Sequence, residues 1–239
     1  MPDLSQLLDV QDLDRACDKL HAQRRDLPER TSLEDCHQRA AALDAAHAEL
    51  LAQRQELGRR EHQLGAEVAE VARKAKEVED TLYSGTITAT KELEAHQEEI
   101  RLMREKQGVL EEGEMELLEQ IDASEAEADE NRSARDGCDQ EAAALEAEIS
   151  KQEQEIDSEL AQLGEQRSER ASGLPAEILA DYERIRAKER MHGRGAAQLG
   201  KGNCDGCRVK LPVLEYNKMR AQPEDALIHC TSCGRVLVR

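Results

Sequence analysis

Leu82-Tyr83-Ser84-Gly85-Thr86-Ile87-Thr88-Ala89 interrupts a chain otherwise rich in Ala, Glu, Leu, Gln and Arg. Gly, Ser and β-branched residues disfavour helix, and their clustering marks a turn. On its N-terminal side Cys36, Leu43, Leu50, Leu57, Leu64, Val71 and Val78 recur every seventh residue. Ala40, His47, Arg54, Glu61, Val68, Ala75 and Leu82 follow four positions later. On its C-terminal side Leu93, Ile100, Ile121, Ala128, Ala142, Ile149, Ile156 and Leu163 share one seven-residue register. Met103, Leu110, Leu117, Asn131, Cys138 and Leu145 share the companion register. Sustained heptads with charged flanks specify coiled coil. A turn between two such segments predicts a long antiparallel helical hairpin, so the fold class is mostly α.

The heptads also set the pairing. If the chain folds back near residue 87, the numbers of facing residues sum to 174 or 175. Val78 then meets His96 or Gln97, Val71 meets Met103, Leu64 meets Leu110, and Leu57 meets Leu117. Leu82 meets Leu93 near the turn, and Cys36 meets Cys138 near the far end. Polar layers interrupt this seam where Glu61 faces Glu114, Leu50 faces Ser124 and Leu43 faces Asn131; such layers cost stability but fix register. A Cys36–Cys138 disulfide is geometrically allowed, but a reducing cytoplasm argues for small core thiols. Arms of about 75–80 residues would extend on the order of 110 Å.

Further out, prolines punctuate the helices. Pro28 lacks an N–H and clashes with the preceding turn, which predicts a kink between helices at about 4–26 and 29–82. The returning arm is expected over about 90–171. Ser172-Gly173-Leu174-Pro175 then stops it, and Pro175 opens another helix to about 191. His192-Gly193-Arg194-Gly195 reads as a flexible joint. The division is a hairpin over 1–172, a linking helix and joint over 173–195, and a small β-rich module over 196–239.

That module carries Cys204-Asp-Gly-Cys207 and Cys230-Thr-Ser-Cys233, separated by 22 residues. Two C-x-x-C knuckles offer four thiolates, the number that closes a tetrahedral shell around one structural Zn²⁺. Gly206 lies inside the first knuckle and Gly234 follows the second, where small residues let backbone N–H groups approach the sulfurs. The competing reading, two disulfides in a secreted module, needs an apolar leader. Met1-Pro2-Asp3 opens acidic and leads into no apolar segment. Short strands are expected near 196–199, 208–211, 227–229 and 235–238, with a helix near 213–220. Strands this short need the metal to hold them. His192 and His229 are not expected to be ligands, because the four cysteines complete the set.

Composition narrows the function classes. The 239 residues include no Trp, no Phe and three Tyr, too few aromatics for one globular core of this length. No apolar run reaches the roughly 18–20 residues of a membrane span, so the chain reads as cytoplasmic. Net charge is −19 but uneven: residues 111–170 hold 21 acidic against five basic residues, whereas 183–239 hold twelve basic against six acidic. An acidic stalk repels nucleic acid and a basic end attracts phosphate. A closed four-thiolate shell has no open position for substrate, and no nucleophile–base set or phosphate loop is visible. An enzyme with a small-molecule substrate is therefore not expected.

Three motifs resemble one bacterial family, the coiled-coil hairpin proteins with a C-terminal four-cysteine zinc ribbon. Leu82 to Thr88, with Lys91-Glu92-Leu93 and Glu99-Ile100, is similar to the family's central signature. Leu174-Pro175-Ala176-Glu177, with Tyr182 and Arg186, resembles its approach to the ribbon. Cys204-x-Gly-Cys207, Leu211-Pro212 and Cys230-x-x-Cys233-Gly234-Arg235-Val236-Leu237 resemble the ribbon itself. The resemblance covers nearly the whole chain and implies a kinked helical hairpin ending in a zinc-bound ribbon. It also implies nucleic-acid binding and a link to transcription-factor handling or RNA. Relatives often carry Asn-Pro where this chain has Ala89-Thr90, which leaves Thr88 as the expected helix cap. Many also end in an aromatic residue where this chain has Val238-Arg239.

The leading expectation is a non-enzymatic zinc-ribbon adaptor for RNA or a transcription-machinery component, displayed on a coiled-coil stalk. Arg194, Lys201, Arg208, Lys210, Lys218, Arg220, Arg235 and Arg239 would supply phosphate contacts. The alternative is a protein-only or chaperone-like scaffold that grips partners with the ribbon and the tip, Tyr83, Ser84, Gly85, Thr86 and Thr88. An RNA-polymerase channel factor would place acidic residues at the tip, but here Asp80 and Glu92 are set back on the arms. A seam with polar interruptions is also able to pair between chains.

Overall fold

The computed structural model describes residues 4–223 and 226–239; Met1-Pro2-Asp3 lies outside them. Helix α1 (Gln6–Arg25) leads into α2 (Pro28–Tyr83), and α3 (Thr90–Ser172) returns into α4 (Ala176–Arg186). A 3-10 turn (Glu189–Met191), strand β1 (Ala196–Gln198), helix α5 (Val213–Arg220) and strand β2 (Val236–Val238) complete the described elements. The break before Pro28 and the stop at Gly173 fall where the prolines require them. Helix α4 ends at Arg186 instead of continuing to 191, because Lys188 turns extended (ψ 127°) and sends Met191 into the core.

At the hairpin turn, Gly85 takes φ 76°. Ser84 Oγ donates to Thr81 O at 2.7 Å and lies 2.7 Å from Thr86 Oγ1. Helix α3 begins with Ala89 O accepting from the N–H groups of Glu92 and Leu93. Thr88 therefore does not cap it; it lies one residue before the position whose carbonyl opens the helix.

The chain divides into two compact units, Ser32–Ala144 and the remainder. Within Ser32–Ala144, α2 and α3 pack antiparallel. The buried seam contains Cys36, Ala40, Leu50, Leu57 and Ala75 from one arm and Ile100, Ser124, Ala128, Cys138 and Ala142 from the other. Cross-arm ion pairs at Arg39–Glu141 (3.2 Å), Arg135–Asp44 (3.1 Å), Arg54–Glu125 (3.3 Å) and Arg104–Glu79 (2.9 Å) flank it. Val78, His96 and Met103 line one hollow, as the register requires. Cys36 and Cys138 are free, buried thiols. Burial and the neighbouring Glu141 carboxylate, to which Cys36 donates, raise the Cys36 pKa.

The Glu61–Glu114 layer is relieved sideways. Glu114 Oε1 lies where a Cβ on Gly65 would be only 3.0 Å away, so its charge lies along the glycine. Ser124, expected opposite Leu50, has no such outlet: it is 5% exposed and its Oγ has no protein partner among the described residues. A buried unpaired hydroxyl costs about 1–3 kcal/mol, and Ala is also the better helix former. Ser124→Ala is therefore expected to raise stability by about 1 kcal/mol, measured as a higher urea midpoint at unchanged slope.

The other unit contains α1, the end of α3, α4 and the cysteine module. Leu4, Leu7 and Val10 of the N-terminal segment pack with Ile178, Tyr182 and Ile185 of α4 and with Ala196, Val236 and Val238 of the strands. Gln11 Oε1 accepts from Ala196 N–H at 2.9 Å, so a helix side chain satisfies the first donor of β1. Asp14, only 4% exposed, accepts from the Tyr182 hydroxyl (2.8 Å) and from Arg167 Nε (2.7 Å). The expected joint at 192–195 is held in place: a Cβ on Gly195 would lie 2.5 Å from Tyr182 O, and Gly195 O accepts from Val236 N–H.

β1 and β2 pair in parallel, Ala196 opposite Val236 and Gln198 opposite Val238. The strands expected at 208–211 and 227–229 are instead isolated bridges, Asn203 with Lys210 and His229 with Val236. Arg208 takes φ 60°, which breaks extension at the start of the first segment. Nearby backbone donors close the knuckles: Arg208 N–H bonds Cys204 O and Gly234 N–H bonds Cys230 O.

Candidate metal centre and basic surface

Each C-x-x-C knuckle is one tight turn, and the two turns face each other. Cys204 Sγ lies 3.9 Å from Cys233 Sγ, and Cys207 Sγ lies 3.8 Å from Cys230 Sγ. All four sulfurs fall within 4.8 Å of one another. Four thiolates about 2.3 Å from a tetrahedral zinc have edges of about 3.8 Å, so the cage fits this ion and leaves no fifth position. His192 and His229 are outside this set. His229 Nε2 instead contacts Asp181 Oδ2 at 2.5 Å, tying the second knuckle to α4.

Backbone N–H groups and the Arg235 guanidinium reach the sulfurs, against the cost of burial. Burial raises the Cys204 pKa, against the pull of the Cys207 and Gly206 N–H groups. Burial acts the same way at Cys233. There the N–H and guanidinium of Arg235 outweigh it, and the thiol falls below its ordinary value. Gly206 is required by close approach, since a Cβ there would lie 2.8 Å from Ala197 Cβ and 2.9 Å from Arg235 Cδ.

Arg235 is the largest departure from the expected contact surface. It is 7% exposed and donates to Arg194 O (2.9 Å) and Met191 O (3.2 Å), locking the segment before β1 to the second knuckle. A buried guanidinium with these partners is not available to phosphate. Arg239 is likewise engaged, donating to the carbonyls of Met219, Gln222 and Pro223 at the end of α5. The other six expected cations, Arg194, Lys201, Arg208, Lys210, Lys218 and Arg220, are exposed.

Among the described residues none of these six forms an ion pair, whereas every arginine of α1–α4 does. Arg208 stands out further. The equivalent position of the second knuckle is Gly234 at φ 78°, yet Arg208 adopts φ 60° with a side chain that gains nothing locally. A left-handed non-glycine residue costs roughly 1–2 kcal/mol. At the tip, Tyr83 is 78% exposed.

Sequence reasoning missed the residues that seat the metal module: Gln11, Asp14, Arg167 and Asp181. Each is a polar residue on a charged helix, and only the partner makes it distinctive. Tyr182 and Arg186 were legible through the motif they share with the resembling family.

These elements define a class: a coiled-coil hairpin joined to a four-cysteine ribbon with one structural zinc. The model for the CT398-like coiled coil hairpin domain matches residues 10–190, and that for a C4-type zinc ribbon domain matches residues 203–237. The chain belongs to the CT398-like coiled-coil hairpin family. The uncharacterized protein Rv2229c of Mycobacterium tuberculosis is 26% identical over 241 residues, spanning 98% of this chain and 94% of the relative. A Mycobacterium smegmatis structure aligns over 100% of both chains with TM-score 0.77 and 21% identity. CT398 from Chlamydia trachomatis aligns with TM-score 0.70 and 20% identity, over 98% of this chain and 96% of that one. HP0958 from Helicobacter pylori covers the same shares with TM-score 0.51 and 19% identity. At these identities the structures share the fold alone. No helix among the described residues is long and apolar enough to cross a membrane.

Proposed function

We propose that the protein is a non-enzymatic cytoplasmic adaptor, a zinc ribbon joined to a helical hairpin, whose ribbon binds RNA or a component of the transcription machinery. One observation carries this reading: the exposed cations of the ribbon are unpaired among the described residues, while the helix arginines are neutralised by neighbouring carboxylates. Unpaired cations are free to replace counterions on a phosphate backbone. Arg208, held at a positive φ that glycine would adopt without cost, is supported as a residue kept for its side chain.

Alanine replacement of Arg208, Lys210, Lys218 and Arg220 together is expected to weaken binding to single-stranded RNA at least about tenfold. The plot of log affinity against log salt should flatten by about 3, because each lost phosphate contact removes about 0.7 from the slope. Unchanged affinity and slope would end the nucleic-acid reading.

A second reading, a protein-only or chaperone-like scaffold, is favoured by exposed apolar side chains. Tyr83 at the tip is 78% exposed, and Val213 and Leu214 on α5 are 73% and 77% exposed. A partner retained after nuclease treatment but lost on Tyr83→Ala would select that reading.

A further inference from the structure

A hollow of about 670 Å³ lies beside the metal centre, between the turn after β1 and the end of α5. Leu199, Lys201, Asp205, Tyr216, Arg220 and Gln222 line it. Its volume falls within the range of small-ligand sites. Tyr216 is half-buried against the ribbon core, and the Arg220 guanidinium lies 5.8 Å from its ring centroid. Aromatic rings and guanidinium planes are both surfaces on which a planar base stacks. Lys201 and Arg220 have no ion-pair partner among the described residues, so positive charge stands at the same opening. Arg239, which also borders the hollow, is held by backbone carbonyls and shapes the wall.

Asp205 supplies the selective element. Its Oδ1 accepts from Asn203 Nδ2 at 2.7 Å, which orients the carboxylate, and Oδ2 is left without a protein hydrogen bond among the described residues. An ionised carboxylate offers two acceptors and no donor. Guanine presents two adjacent donors on its Watson–Crick edge, N1–H and N2–H. Adenine and cytosine set their amino group beside an acceptor, and uracil sets its one donor between two acceptors. We propose that this hollow is a guanine-nucleotide site: the base against Tyr216 and Arg220, its donor edge toward Asp205, and its phosphate toward Lys201. The nucleotide is either one residue of a single-stranded RNA or free in solution. The RNA form rests on the RNA reading above and gives that reading a base preference.

The test uses the full, zinc-loaded chain and fluorescence anisotropy with a short uridine-rich RNA carrying one guanosine. Comparison RNAs carry inosine at that position or uridine throughout. The guanosine RNA is expected to bind about tenfold more tightly than the all-uridine RNA, with inosine between them because it lacks the N2 amino group. Asp205→Asn keeps the acceptor for Asn203 but places a donor in the carboxylate, and should abolish the guanosine preference at unchanged zinc content. Lys201→Ala and Tyr216→Ala should weaken the guanosine RNA about tenfold, and Tyr216→Phe should restore it. Displacement of the guanosine RNA by free GMP would assign the free nucleotide, and resistance to GMP would assign the RNA residue. RNA binding with no guanosine preference, unaltered by Asp205→Asn, would overturn the hollow while leaving the RNA reading intact. GMP binding sensitive to Asp205→Asn without any RNA binding would do the reverse. Absence of both would end both.

Discussion

Removing the zinc is expected to unfold the ribbon and loosen α1 and α4, while residues 32–144 keep the amide protection of a folded coiled coil. Structural zinc contributes about 10–16 kcal/mol in zinc-finger peptides, as much as a small domain's whole stability. The ribbon has no substitute for it: its regular strands are Ala196–Gln198 and Val236–Val238, and three-residue strands do not hold a sheet alone. The damage should reach the helices, because Val236 and Val238 share a core with Leu7, Val10, Tyr182 and Ile185. Cys204→Ser with Cys207→Ser should give the same result as chelation. Hydrogen exchange read by mass spectrometry separates the outcomes: protection lost across 4–25, 176–186 and 196–239 but retained across 32–144 is the expected pattern. Loss confined to 196–239 would mean that α1 and α4 hold together without the strands.

Asp14→Ala is expected to destabilise the same unit by about 3 kcal/mol, at the low end for breaking a buried ion pair because Arg167 is partly solvated. The carboxylate is 5% exposed and is shared by the Tyr182 hydroxyl, Arg167 Nε at 2.7 Å and, more distantly, Arg186 Nε at 3.7 Å. Tyr182 itself is fully buried, and burial followed by the Asp14 hydrogen bond raises its pKa strongly. Removing Asp14 leaves the buried Tyr182 hydroxyl and Arg167 Nε without their acceptor, while the other end of that guanidinium keeps Glu183 at 2.7 Å. Asp14→Asn keeps one acceptor and should cost less. Urea unfolding checks both, and an Asp14→Ala loss below about 1 kcal/mol would show that solvent replaces the carboxylate. Tyr182→Phe separates the contributions, since it deletes the hydroxyl and leaves the Arg167 pair.

Much of this architecture was legible because it is periodic or punctuated. Heptads set the antiparallel pairing that brings Val78, His96 and Met103 to one hollow, Pro28 set the kink, and cysteine spacing set the metal cage. The illegible parts depend on contacts between residues far apart in the chain. Nothing local distinguishes Gln11, which satisfies β1, from the other glutamines of a polar helix. Arg235 and Arg208 look alike in sequence, yet one is buried against carbonyls and the other is exposed at a strained φ. The missing strands have a local cause that composition hides: Val209-Lys210-Leu211 has strand-forming character, but the knuckle turn consumes the preceding residues. Thr88 was a reasonable cap by residue type, but Ala89 occupies the position that opens α3.

The seat of the first helix also governs when the protein can finish folding. The bond from Ala196 N–H to Gln11 spans 185 residues, and the apolar partners of Leu7 and Val10 include Val236 and Val238. On the ribosome, α1 emerges before the other described elements and its docking face is completed by segments synthesised far later. Closing so long a loop is slow compared with local helix formation, so the part of the α1 apolar face that Val236 and Val238 cover stays open until β2 has been made. A chain halted in the 210s would carry a finished hairpin and an incompletely covered apolar helix, a species that invites chaperone capture or self-association.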